Sequence, residues 1–65
     1  MFIRLTNMFH ERKGDPLYIN VNHIIVVYED HEPGGSLMTQ VHAEGLTWTV
    51  EESFGEVMKL IGEAV

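Results

Sequence analysis

The last twenty residues, Leu46-Thr-Trp-Thr-Val-Glu-Glu-Ser-Phe-Gly-Glu-Val-Met-Lys-Leu-Ile-Gly-Glu-Ala-Val65, decide the fold, because their apolar spacing changes from two to about 3.6 partway along. Leu46, Trp48 and Val50 alternate with Thr47 and Thr49, the pattern of a half-buried strand. Ser53 then stands three residues before Glu56, as in an S-x-x-E capping box, and Phe54, Val57, Met58 and Ile61 follow at helical spacing. The spacing predicts a helix from Phe54 almost to the end of the sequence. Gly55 and Gly62 each weaken such a helix by up to about 1 kcal/mol relative to alanine, so packing must hold it in place.

Reading back from that strand, Glu44-Gly45 suits a tight two-residue hairpin turn. Before it, Leu37, Thr39, Val41 and Ala43 alternate with Met38, Gln40 and His42. Glu29-Asp-His-Glu-Pro-Gly-Gly-Ser36 reads as a loop, the mobile tip of a hairpin. A strand is expected at Ile24 to Glu29 and another at Leu17 to Asn20. The break in alternation at Asn20-Val-Asn-His23 signals a turn or bulge between them. His10 to Pro16 is a polar turn, and Phe2 to Met8 reads as the first strand, with Ile3 and Leu5 on one side and Arg4 and Thr6 on the other.

The expected architecture is a single α+β domain over residues 1–65: an antiparallel meander of four to five strands with one C-terminal helix packed on one face. Leu17, Ile19, Ile25, Val27, Val41, Trp48 and Val50 are the expected sheet contributors to the core. Phe54, Val57, Met58, Ile61 and Val65 are the expected helix contributors. Tyr18 shares its side with Asn20 and is expected outside.

The chain has 65 residues and no cysteine, which excludes a disulfide framework and a thiolate zinc site. A chain this short buries only about 60% of the surface its unfolded form exposes. Homo-oligomerisation, a dimer or higher, is therefore expected as a further source of burial. Arg4 and Asn7 interrupt the amino-terminal apolar run early, unlike a signal peptide, and Ile24 to Tyr28 is too short to span a bilayer. A soluble cytoplasmic protein without membrane insertion is the expectation.

Four Lys and Arg residues stand against ten Asp and Glu, a formal net charge of −6. Between Gly14 and Met58 there is no Lys or Arg at all. Such a surface repels phosphate backbones, so direct nucleic-acid binding is not expected. The acidic excess serves solubility. It also offers a negative face that could dock on a basic surface by imitating nucleic acid.

Reactive constellations are scarce. His10, His23, His31 and His42 lie in different segments without ligand spacing, and a zinc site needs three or four converging ligands. Glu29-Asp30 and Glu51-Glu52 are paired carboxylates, but acid-base work needs an enclosed cleft that separates their pKa values. Glu51, Glu52 and Glu56 suit the amino end of the helix, where the macrodipole favours negative charge. Ser53 has no G-x-S-x-G context and reads as a cap, and the glycines carry no phosphate-loop motif. No catalytic residue, metal or cofactor is expected.

The order Ile3-Arg-Leu-Thr6, then Leu17-Tyr-Ile-Asn20 leading to His23-Ile-Ile25, then a hairpin closed at Gly45, then Val50-Glu-Glu-Ser53 and Glu56-Val-Met-Lys-Leu-Ile61, resembles the small flagellar FlbD/SwrD-type proteins and related short bacterial and phage reading frames. The resemblance implies a cytoplasmic, non-enzymatic accessory protein, and in flagellar members an influence on motility. The longer His10 to Pro16 turn and the acidic Glu29 to Ser36 stretch depart from that pattern.

The expected function is a small protein-binding or regulatory accessory module, bacterial or phage and homo-oligomeric. Glu29, Asp30, His31 and Glu32 are its expected partner-facing residues, and Tyr18 is a further candidate. The alternative is a phage-type acidic inhibitor that docks on a basic or nucleic-acid-binding surface of a host protein.

Overall fold

The computed structural model describes all 65 residues apart from the side chain of His10. Among the described residues the elements are strands β1 (Phe2–Thr6), β2 (Pro16–Asn20), β3 (Ile24–His31), β4 (Leu37–Ala43) and β5 (Leu46–Val50), then helix α1 (Phe54–Ala64). Short 3-10 turns at His10–Arg12 and Val21–His23 join β1 to β2 and β2 to β3. The architecture is α+β, as the change of period predicts. The single meander is not formed.

Instead there are two antiparallel sheets, β1-β2 and β3-β4-β5. The meander fails between β2 and β3. The Asn20 side chain accepts from the Asn22 amide and folds Val21–His23 into a helical turn, so β3 departs without pairing to β2. The end of β1 meets β5 instead, through a bridge between Asn7 and Val50. The Met8 amide donates to the Thr49 carbonyl at 3.0 Å, and the Glu51 amide to the Thr6 carbonyl at 2.9 Å. Both sheets thereby turn their apolar faces toward one core, and β2 and β3 remain as the two outer edges.

Strand parity fixes what is inside. In β1 and β2, Ile3 pairs with Ile19 and Leu5 with Leu17. In the other sheet Val41 lies between Val27 and Trp48, and Thr39 pairs with Val50. Leu5, Val41, Val50 and Val57 are fully buried and form the centre. The helix contributes Val57, with Leu60, Ile61 and Ala64 packed against it. These positions follow i, i+3, i+4 and i+7, one stripe of the helix.

Several expected core residues lie outside. Phe54, Met58 and Val65 are exposed because they sit about a quarter-turn from that stripe. Ile25 is 72% exposed, because the β3–β4 register shifts between Ile24 and Val26 and leaves it as the unpaired residue of a bulge. Trp48 is half-buried and Tyr18 exposed.

The joins follow their chemistry. Ser53 accepts from the Glu56 amide at 3.2 Å and caps α1. Glu44 at φ 55° and Gly45 at φ 80° make a turn with both central residues left-handed, the geometry whose twist matches a tight hairpin.

Candidate functional site

The most exposed regular element is β3. It pairs only with β4, and of its eight residues only Ile24 and Val27 are partly buried. The strand expected to end at Glu29 runs on through Asp30 and His31, expected in a loop, and Glu29, Asp30 and His31 pair with Thr39, Met38 and Leu37. β-branched Ile24 to Val27 and Tyr28 start the extended run, and cross-strand bonding carries it through His31. The loop shrinks to a turn in which the Glu32 amide donates to the Ser36 carbonyl and the Gly35 amide to the Glu32 carbonyl, both at 2.8 Å.

That turn also sets which backbone groups face outward. Antiparallel ladders bond at every second residue. The Glu32 amide points to the β4 side, so Asp30, Tyr28 and Val26 point their backbone groups there too. His31, Glu29 and Val27 then turn their N–H and C=O groups away from β4, along the open edge.

Side-chain parity adds a second feature. Val26 and Tyr28 pair with His42 and Gln40, on the sheet face opposite the core, and both are exposed. With Ile25 they place three large apolar side chains on one edge strand, directly before Glu29 and Asp30. The Asp30 carboxylate accepts from the His31 amide at 2.9 Å.

The expected contact residues are brought together only in part. Glu29, Asp30 and His31 are consecutive on β3, and Glu32 opens the turn. Tyr18 lies on β2, opposite Arg4, in the other sheet. It borders a small depression of about 130 Å³ shared with Phe2, Trp48 and Glu44. Glu32 instead borders an open groove of about 410 Å³, where Met8, Phe9 and Lys13 approach Pro33, Met38 and Thr49. Phe9 also faces a second groove of about 420 Å³, lined by Asn7, Glu11, Arg12 and Trp48.

Several polar side chains are engaged in holding the fold. Both Glu52 oxygens accept from Thr6, from its amide and from its hydroxyl, each at 2.8 Å. Thr49 donates to Gln40 at 2.7 Å, and His42 bonds Thr47 at 3.0 Å across the same strand pair. His23 pairs with Glu44. The buried Asn7 accepts from the Phe9 amide at 3.0 Å and starts the first polar turn. Among the described residues no three His, Asp or Glu side chains gather as a metal site would require. The side chain of His10, one of the four histidines weighed, lies outside the described residues.

The sequence pattern missed the apolar half of the edge. Of the continuous apolar run Ile24 to Tyr28, Ile25 and Val27 are the residues expected in the core, and the structure half-buries Val27 but exposes Ile25. Asn20-Val-Asn-His23 just before it was the available signal, because a helical turn there frees the next strand from its predecessor.

Among the described residues no helix is long and apolar enough to cross a membrane. Compared with protein-family models, with curated proteins and with solved structures, the chain matches none.

Proposed function

We propose that this chain is a small non-catalytic protein-binding or regulatory accessory module, of bacterial or phage origin and homo-oligomeric, whose contact element is strand β3. One observation carries the reading: β3 is an edge strand on which exposed Ile25, Val26 and Tyr28 run directly into exposed Glu29, Asp30 and His31. Open strand edges with apolar side chains are templates for pairing with another chain. The acidic end adds a preference for partners with basic residues near the turn. The resemblance to FlbD/SwrD-type proteins supports an accessory role acting through contacts. Tyr18, on the other sheet, belongs to a separate and lesser surface.

The test is cross-linked capture from a bacterial lysate with the native chain and with a variant carrying Glu29→Lys, Asp30→Lys and Glu32→Lys. A specific partner retained by the native chain and lost by the variant is the expected result. Equal capture by both removes the acidic end of β3 from the contact.

The alternative, an acidic inhibitor of a nucleic-acid-binding surface, is favoured by exposed Glu29, Asp30, Glu44 and Glu51 in a stretch without Lys or Arg. Capture that collapses as salt rises would select it, because screening acts most on exposed charge pairs.

A further inference from the structure

Resting on the reading of β3 as the contact strand, we propose that its occupant is β3 of a second copy of this chain, paired antiparallel about Val27 across a two-fold axis. An isologous contact needs a surface complementary to itself. The outward-facing backbone of β3 meets that need, because Val27 and Glu29 each present one N–H and one C=O along the edge, and an antiparallel copy returns the same groups.

Register follows from the side chains. With the axis at Val27, Val26 of one chain stands opposite Tyr28 of the other, and this pair occurs twice. β-branched and aromatic residues are favourable cross-strand partners. Both are exposed on the face away from the core, so the pairing covers them without disturbing Val41 or Val50.

Charge restricts the register further. About Val27, Glu29 lies opposite Ile25 of the copy and Asp30 opposite Ile24, so each acidic end lies beside an uncharged segment. An axis at residue 29 or 30 would set Glu29 or Asp30 against itself, and like charges directly opposite are destabilising. The two three-stranded sheets then continue as one of six strands. The exposed bulge residue Ile25 gains a neighbour, and a chain with a small core gains burial.

The test uses two substitutions at one exposed position, with dimerisation followed by sedimentation and light scattering over a wide concentration range. Circular dichroism checks that each variant folds. Ile25→Glu places a carboxylate opposite Glu29 of the copy, and Ile25→Lys places an ammonium there. The expected result is a dimeric native chain, with the glutamate variant dimerising roughly tenfold or more weakly than the lysine variant, a gap of about 1.4 kcal/mol. Equal weakening of both overturns the register, and no weakening of either places the dimer contact elsewhere and overturns the proposal. A native chain that stays monomeric overturns the second-copy occupant alone; the charge-reversal capture tests the contact-strand reading separately.

Discussion

Glu52 holds Thr6 with both carboxylate oxygens, one accepting the backbone amide and the other the hydroxyl, each at 2.8 Å across 46 positions of sequence. The clamp sits beside the β1–β5 bridge, where the two sheets meet and just before the helix cap. It therefore joins the first strand to the last turn of chain before α1. Glu52→Ala leaves two partly buried donors unmatched and is expected to cost about 1–3 kcal/mol. At roughly 4–8 °C per kcal/mol for a domain of this size, thermal unfolding reads the loss directly. Glu52→Gln keeps one acceptor and should fall between. In a double-mutant cycle, Glu52→Ala combined with Thr6→Val should cost less than the two separately, because they share one interaction. Strict additivity would remove the clamp as a coupling element.

Two leucines calibrate the core. Leu5 is fully buried between the sheets, whereas Leu46 is 57% exposed beside the β4–β5 turn. Leu5→Ala is expected to cost about 2–5 kcal/mol through lost contacts and a residual cavity. The same substitution at Leu46 should cost under about 1 kcal/mol, as little apolar area leaves water there. Urea unfolding midpoints of the two variants provide the comparison. Similar losses at both would mean the core is misplaced.

Two glycines should respond to alanine with opposite signs. A Cβ at either Gly45 or Gly55 would meet nothing within 4 Å, so space does not separate them. Backbone does: Gly45 has φ 80°, which an L side chain resists, while Gly55 is helical. Gly45→Ala should destabilise by about 1 kcal/mol. Gly55→Ala should stabilise by up to about 1 kcal/mol. Thermal midpoints moving in the same direction would contradict the turn geometry.

The Ser53 cap is separable from the Glu52 clamp beside it. Ser53→Ala should cost about 1 kcal/mol and lower helical signal at 222 nm before global unfolding, because the first turn loses an acceptor for the Glu56 amide.

What could be read in advance depended on whether local chemistry or distant contacts governed each feature. The hairpin at Glu44-Gly45, the cap at Ser53 and the buried parity of Ile3, Leu5, Val41 and Val50 are set by residues within a few positions, and the structure has them as the pattern implies. The joining of β1 to β5 depends on groups more than forty residues apart, and alternation carries no information about it. The helix face shifted by about a quarter-turn for a similar reason. Phe54 and Met58 are as apolar as Leu60, and only the position of β1 and β3 chooses between the stripes. The candidate site was half legible. Glu29 to Glu32 stand out by charge, but the pattern assigns Ile25 to the core, because a strand edge cannot be told from a strand centre by hydrophobicity alone.

Pairing of β3 with its own copy about Val27 is open to direct test by disulfide trapping, because the chain has no native cysteine. In that register Val26 faces Tyr28 of the copy, at the closer, non-hydrogen-bonded type of position, about 4.5 Å between Cα atoms. That spacing is within disulfide reach. Two single-cysteine variants, Val26→Cys and Tyr28→Cys, would be oxidised mildly, each alone and as an equal mixture. Pairing about Val27 gives a cross-linked dimer that forms chiefly between unlike chains in the mixture, with little from either variant alone. Cross-linking that is as strong within each variant as between them, or absent throughout, would contradict it.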